Sequence, residues 1–232
     1  MLTLLTYPGN AQTFSLSPFC VKAAMLLQRS GLPWKRQDLT DPRKMPNQKL
    51  PVLKTPERLI PDSGVIQNWL EAKGMDFDPG LSALAKAQSL ALIRMAEEHL
   101  YFQIVLDRWC NDQVWPVLRE TFFGEIPAIL RRPIANGIRT KVLRGLDFQG
   151  AGRYAPEQRK AKLEADLAAI AGIVRERGFL MGGDLTSADY SVAPMVAAMV
   201  ETPVETDLVR RVSADPVLMG YVDRVKAAVP LA

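Results

Sequence analysis

The residues best equipped for chemistry stand together near the start of the chain, in Ser15-Leu16-Ser17-Pro18-Phe19-Cys20. Ser17 is of the type and in the place of a helix N-cap, where its hydroxyl accepts from an orphan backbone N–H, and Pro18 suits the first helical position, which needs no N–H. The unpaired amides and positive dipole end of such a helix favour an anion, and a thiolate is one. Tyr7, at the end of an apolar stretch, is the second candidate hydroxyl and Ser15 the third. Cys20 lies one turn below Ser17 on the same face, facing the same place or buried. A second capped start, Asp62-Ser63, offers a carboxylate that holds an ammonium, with a hydroxyl and free amides that hold a carboxylate. That pairing suits the α-amino-acid end of a ligand, although a plain N-cap reads the same way. The lone His99 and the scattered acids have no metal-ligand spacing, so no metal is expected. No Ser/His/Asp constellation is present either.

The elements that must position these residues follow from the apolar pattern. Leu2 to Tyr7 is a strand stopped by Pro8-Gly9-Asn10, and Phe19 to Leu27 is a buried helix closed by Ser30-Gly31. Trp34 to Leu39 is a second strand, which implies a parallel crossover. Asp41 to Lys49 is an irregular connector with at most one helical turn. Lys49-Leu50-Pro51-Val52-Leu53-Lys54 and Arg58-Leu59-Ile60 make a hairpin entered by Pro51, with a cis Leu50–Pro51 bond among the options. Asp62-Ser63 then starts a helix that runs to Lys73-Gly74.

Beyond Asp76-Phe77-Asp78-Pro79-Gly80 the pattern is helical to the end. Leu84, Leu90, Ile93, Tyr101 and Val105 mark one long helix, with Arg94 and Glu98 as an i,i+4 pair. Its stripe of Glu98, Tyr101, Val105, Arg108 and Asp112 is read either as the wall of an apolar acceptor pocket facing Ser17 or as a packed seam with Glu98 and Arg108 ion-paired. Trp115-Pro116 breaks the pattern and Phe122 to Pro127 bends it. Pro156 starts an amphipathic helix that Gly178 ends, and Thr186 caps an apolar one, with Asp189 reaching back to it.

Composition bounds the function. With 232 residues, 48% hydrophobic and 23% charged, the chain is an ordinary globular protein of one large domain or two small ones. No apolar run is long enough to span a bilayer, and the start has no leader pattern, so the cytoplasm is expected. Two cysteines, not spaced as CxxC, argue for reduced thiols. The net charge of +4 includes a local cluster, Arg131, Arg132, Arg139, Lys141, Arg144 and Arg153, which reads first as a solvated helical face and second as a surface that meets phosphates or a membrane; no aromatic-rich nucleic-acid motif accompanies it.

Taken in order, these stations resemble the glutathione S-transferase family. Ser17-Pro18-Phe19-Cys20 stands where thioredoxin-like proteins carry C-P-x-C, Leu50-Pro51-Val52 where the family has its cis-proline, and Asp62-Ser63 matches the pair that holds the γ-glutamyl end. Gly183-Asp184-Leu185-Thr186-Ser187-Ala188-Asp189 is similar to the family's capping segment in the helical domain. Ser15 to Lys22, with Glu98-His99-Leu100-Tyr101 and Arg108-Trp109, also resembles a bacterial branch related to metaxins and failed-axon-connections proteins. The resemblance implies an α/β plus all-α fold: a thioredoxin-like glutathione-binding domain with a mixed four-stranded sheet over residues 1–75, then an all-helical domain over 81–232. It implies an enzyme that activates the glutathione thiol, as co-substrate, for attack on a small electrophilic or hydrophobic molecule, in a detoxification role and as a homodimer. Ser17 is then the catalytic hydroxyl, with Tyr7 second. Ser17, Phe19, Lys49, Leu50, Pro51, Val52, Asp62 and Ser63 bind glutathione, the residue after the proline pairing by backbone with its cysteinyl part. Tyr101, Val105 and Trp109 line the hydrophobic-substrate site. The metaxin kinship supplies the alternative, a non-catalytic binding or scaffold protein.

Overall fold

Leu2-Thr3-Leu4-Leu5-Thr6 carries no charge and forms β1 (Leu2–Thr6), the strand around which the first third of the molecule is laid. The computed structural model describes residues 1–231. After β1 come α1 (Pro18–Ser30), β2 (Trp34–Asp38), β3 (Val52–Lys54), β4 (Leu59–Pro61) and α2 (Ser63–Glu71). The sheet order is β2-β1-β3-β4. β1 runs parallel to β2, with Leu2 opposite Trp34, and antiparallel to β3, with Leu4 opposite Leu53; β4 closes antiparallel on β3, with Leu53 opposite Ile60. Parallel neighbours cannot be joined by a tight turn, and α1 is the crossover between them. β2 is one of the two edges, and its Lys35, Arg36 and Asp38 suit that exposure.

α1 is apolar on more than one face because it has more than one partner. It packs on α2 and on a central helix of the second half, and Ala23, Ala24, Leu26 and Leu27 are fully buried. Its Lys22 is buried too, with Nζ 2.8 Å from Glu97 Oε1, which also accepts from Ser191 Oγ at 3.1 Å.

The second half is helical: α3 (Ala83–Met95), α4 (Tyr101–Val105), α5 (Trp115–Phe123), α6 (Ala128–Gln149), α7 (Pro156–Arg177), α8 (Ser187–Val200), α9 (Asp207–Ser213) and α10 (Pro216–Ala228). Every residue of α8 from Ser187 to Met199 is buried, so α8 is the axis of this half. Asp189, fully buried, accepts from Leu180 N at 3.0 Å, Thr186 N at 2.9 Å, Thr186 Oγ1 at 3.0 Å and the Tyr221 hydroxyl at 3.0 Å. Burial pushes its carboxyl above the ordinary range, against the pull of those donors. The expected architecture, a thioredoxin-like domain with a mixed four-stranded sheet followed by a helical domain, is the one observed.

The connector after β2 makes one 3₁₀ turn, Pro42–Lys44, then a tight turn over Pro46–Gln48 in which Asn47 and Gln48 take positive φ, 58° and 51°. One local expectation is corrected. The long helix is not uniform: wide π turns over Ala96–Leu100 and Leu106–Cys110 flank α4. Each wide turn inserts backbone that rotates the following faces, so a stripe drawn at 3.6 residues per turn drifts. Arg94 accordingly meets Glu97 at 3.5 Å rather than Glu98. Glu98 is exposed, and Arg108 is buried without it. His99 is bonded to Asp166 of α7, a satisfied histidine.

Candidate active site

The loop between β1 and α1 is folded tightly on itself. A Cβ on Gly9 would lie 2.0 Å from Thr13 O, so the turn admits glycine there. Asn10 Oδ1 accepts from Gln12 N at 2.8 Å and Thr13 N at 3.0 Å, and Leu16 N reaches back to Pro8 O at 3.4 Å. The loop is also tied to the helical half, where Thr13 Oγ1 donates to Glu201 Oε2 at 2.9 Å.

These ties sort the three hydroxyls. Ser15 is buried, donates to Tyr7 O at 2.8 Å and accepts from Ser17 N at 3.2 Å, so its proton is committed. Ser17 is half-buried and is the N-cap of α1, with Oγ accepting a long 3.4 Å bond from Cys20 N. The same hydroxyl also lies beside the Cys20 thiol. The phenol of Tyr7 is pushed well above its ordinary pKa, by burial first and then by the nearby Cys20 and Tyr101, and its ring meets Phe122 edge-on at 6.4 Å. Cys20 is fully buried, which pushes its thiol up, and Thr6, Tyr7, Ser17 and Ser15 surround it.

Leu50 and Val52 pack in one cluster with Cys20 and Leu5, and Tyr7 lies against it. The Leu50–Pro51 bond is cis. Val52 is held inside the sheet, opposite Leu5 of β1 and Pro61 of β4, so its backbone faces a neighbouring strand. Leu50 lies before the ladder, and neither its N–H nor its C=O has a backbone partner among the described residues. Lys49 beside it is exposed. Pro51 O accepts from Asp62 N at 3.1 Å, which brings the second capped start to the same edge. Asp62 has φ 72° and ψ 137°, a costly conformation for a residue with a Cβ. Its Oδ1 accepts from Gly64 N at 2.8 Å and Val65 N at 3.2 Å, while the side chain stays exposed and Ser63 is buried below it.

The helical half supplies an aromatic wall. Phe19, in the first turn of α1, meets Tyr101 at 4.8 Å, and Tyr101, Val105 and Trp109 share a cluster. Trp109 stacks on Phe122 at 6.3 Å, so the wall returns to Tyr7. The three residues expected on this wall are brought together, whereas Asp112, from the same stripe, is exposed and pairs with Arg139 at 2.7 Å. A separate cleft of about 260 Å³ opens behind α1 between Phe14, Val21, Met25, Ala197 and Val225, and Ser17 does not line it.

Residues 18–114 match the model of the glutathione S-transferase N-terminal domain and residues 154–224 that of the C-terminal domain. The chain belongs to the glutathione S-transferase family. An isoprene-epoxide glutathione S-transferase of Rhodococcus sp. (strain AD45) is 29% identical, over 97% of this chain and 98% of that protein. Among solved structures, a glutathione transferase of Phanerochaete chrysosporium superposes with a TM-score of 0.69 at 16% identity, covering 100% of this chain and 98% of that one. A Methylobacterium radiotolerans glutathione S-transferase in complex with glutathione sulfonate superposes with a TM-score of 0.59 at 23% identity, covering 100% and 95%. The expectation of a glutathione transferase enzyme agrees with these relatives.

Sequence reasoning missed two parts of this transferase's site. Phe122 was read as part of a bend, yet it joins Tyr7 to Trp109; its neighbour Phe123 and the Trp115-Pro116 start were the available signal that the region is packed. Arg108 is expected either on the wall of the acceptor pocket or ion-paired in a packed seam, but its partners are main-chain carbonyls and a hydroxyl. Among the described residues no group of three or more His, Cys, Asp or Glu side chains is arranged to hold a metal ion, and no helix is long and apolar enough to cross a membrane.

Proposed function

We propose that the chain binds glutathione along the edge formed by Leu50, Pro51, Asp62 and Ser63 and activates its thiol with the hydroxyl of Ser17. The observation that carries this reading is the half-buried hydroxyl of Ser17 standing at the start of α1, whose first turn holds no acid. Ser15 is already bonded, and Tyr7 lies at the end of β1 rather than at the α1 start, with its ring against Phe122. A free thiol is only a few per cent ionised near neutrality, with a pKa of about 8.5. Donation from Ser17 and the α1 amides raises that fraction. The cysteinyl part of the tripeptide pairs with the free backbone of Leu50 in preference to Val52. Asp62, with one carboxylate oxygen outside its cap bonds, takes the α-ammonium, and Ser63 takes the carboxylate. Phe19 and Lys49 flank this strip.

The electrophile sits against Tyr101, Val105, Trp109 and Phe122. An apolar epoxide is the substrate class to test first, because the Rhodococcus relative is named for one. The thiolate attacks a ring carbon, a C–S bond forms as the C–O bond breaks, and the alkoxide takes a proton from solvent or from the Tyr101 phenol. Burial raises the pKa of that phenol, so it holds its proton at neutral pH. The working unit is a homodimer in which residues 1–75 bind the tripeptide and residues 81–232 the second substrate, and it is cytoplasmic and detoxifying. The non-catalytic, metaxin-like alternative gains nothing from the comparisons, whose relatives are named as transferases.

Thermal melting with glutathione tests the reading. A ligand that binds the native state alone adds about 2.7 kcal/mol at about 100 times its dissociation constant, several degrees for a chain of this size. A melting curve unmoved by millimolar glutathione contradicts glutathione binding and returns the chain to the scaffold alternative.

A further inference from the structure

Arg108 is only 5% exposed, and each hydrogen bond of its guanidinium ends on a neutral oxygen. Nη1 donates to Leu16 O at 2.6 Å, Nη2 to Ala198 O at 2.7 Å and Nε to Thr202 Oγ1 at 3.2 Å. Leu16 O and the Ser17 nitrogen belong to one peptide group, so the guanidinium lies within about 5 Å of the Ser17 amide nitrogen. Burying a cation without a hydrogen-bonded carboxylate is costly, and burial pulls this guanidinium down to about 10. The charged and titratable groups around it are Asp107 and Tyr101 on its own rod and Glu201 after α8. Cys20, on α1, faces the same Tyr101. Both carboxylates have other partners: Asp107 accepts from Thr206 at 3.0 Å, and Glu201 from Thr13 at 2.9 Å and Lys226 at 3.0 Å.

We propose that Arg108 is a positioning residue for thiol activation, fixing the peptide that carries Ser17 and placing a permanent positive charge behind the sulfur of bound glutathione. This rests on the glutathione reading above. The bound thiolate is then the counter-charge that the guanidinium lacks among its hydrogen-bond partners. A purely structural arginine would hold three segments together and leave the ionisation of the bound thiol unmoved; this one lowers the pH at which that thiol ionises.

The test is a pH titration of the thiolate absorbance of bound glutathione in the wild type, Arg108→Gln, Arg108→Lys and Glu201→Gln, with kcat and KM measured on 1-chloro-2,4-dinitrobenzene. Arg108→Gln is expected to raise the midpoint by about one unit and to lower kcat at neutral pH about tenfold, with recovery at high pH and KM for glutathione within about threefold of wild type. Arg108→Lys keeps the charge and loses the planar fork, so its midpoint stays within about half a unit of wild type while its melting temperature falls. Glu201→Gln removes a nearby negative charge and moves the midpoint downward; it carries the test if Arg108→Gln does not fold. A wild-type midpoint in Arg108→Gln with a lower melting temperature alone, or an unmoved midpoint in Glu201→Gln where Arg108→Gln fails to fold, overturns the proposal. In either case a wild type that ionises glutathione below the free-thiol range leaves the functional reading standing. A wild type that does not do so overturns both.

Discussion

The starts of α1 and α8 use the same device to opposite ends. Both open on a hydroxyl residue, Ser17 and Thr186. At α8 the surrounding donors converge on one buried carboxylate: Asp189 takes two backbone amides, the Thr186 hydroxyl and the Tyr221 phenol. At α1 no acid occupies the first turn, the cap bond is 3.4 Å long and Ser17 is half-buried. A helix start filled from within fastens segments to one another. One left short of negative charge keeps its amide potential for an anion that arrives with a ligand.

Removing the carboxylate at the filled start should have the largest effect in the molecule. Asp189→Ala strands Leu180 N, Thr186 N and the Tyr221 hydroxyl inside the core and is expected to cost roughly 4 kcal/mol in chemical denaturation. Loss of less than about 1 kcal/mol would mean that the two starts differ in exposure alone. The internal face of α1 is fastened in a similar way, so Glu97→Ala, which leaves Lys22 buried and unpaired, should cost about 3 kcal/mol by the same measurement.

The open start should respond in the reverse sense. Ser17→Ala is expected to lower kcat/KM for glutathione conjugation about 10–100-fold, roughly 1.5–3 kcal/mol of transition-state stabilisation, while costing no more than about 1 kcal/mol of folding stability. A variant that loses stability and keeps its rate would make Ser17 an ordinary cap. Tyr7→Phe, the smallest change, should stay within about threefold of the wild-type rate; a larger loss would transfer the donor role to the end of β1.

Much of this contrast was legible because it is local. Ser17-Pro18, Asp62-Ser63 and Thr186-Asp189 are separated by no more than three residues, and caps are set by neighbours in sequence. The crossover and the Pro51-led hairpin follow from apolar runs broken by turn residues. What escaped is long-range or depends on helical pitch. Arg108 meets Leu16, Ala198 and Thr202 across about ninety residues of chain, and Glu98, ten residues earlier on the same rod and so about 15 Å away along its axis, is exposed. The pairing of Phe122 with Tyr7 joins the two halves of the molecule, and no periodicity within one half encodes it. Val52 was expected to serve the ligand, but the sheet order places it between β1 and β4 and leaves Leu50 as the residue with a free backbone.

The most direct test is the pH at which glutathione ionises on the wild-type protein and on Ser17→Ala, followed by thiolate absorbance. The account predicts a wild-type midpoint well below the free thiol's value of about 8.5, rising by about one unit in Ser17→Ala and staying below the free value because the α1 amides and Arg108 remain. Equal midpoints in the two proteins would contradict it.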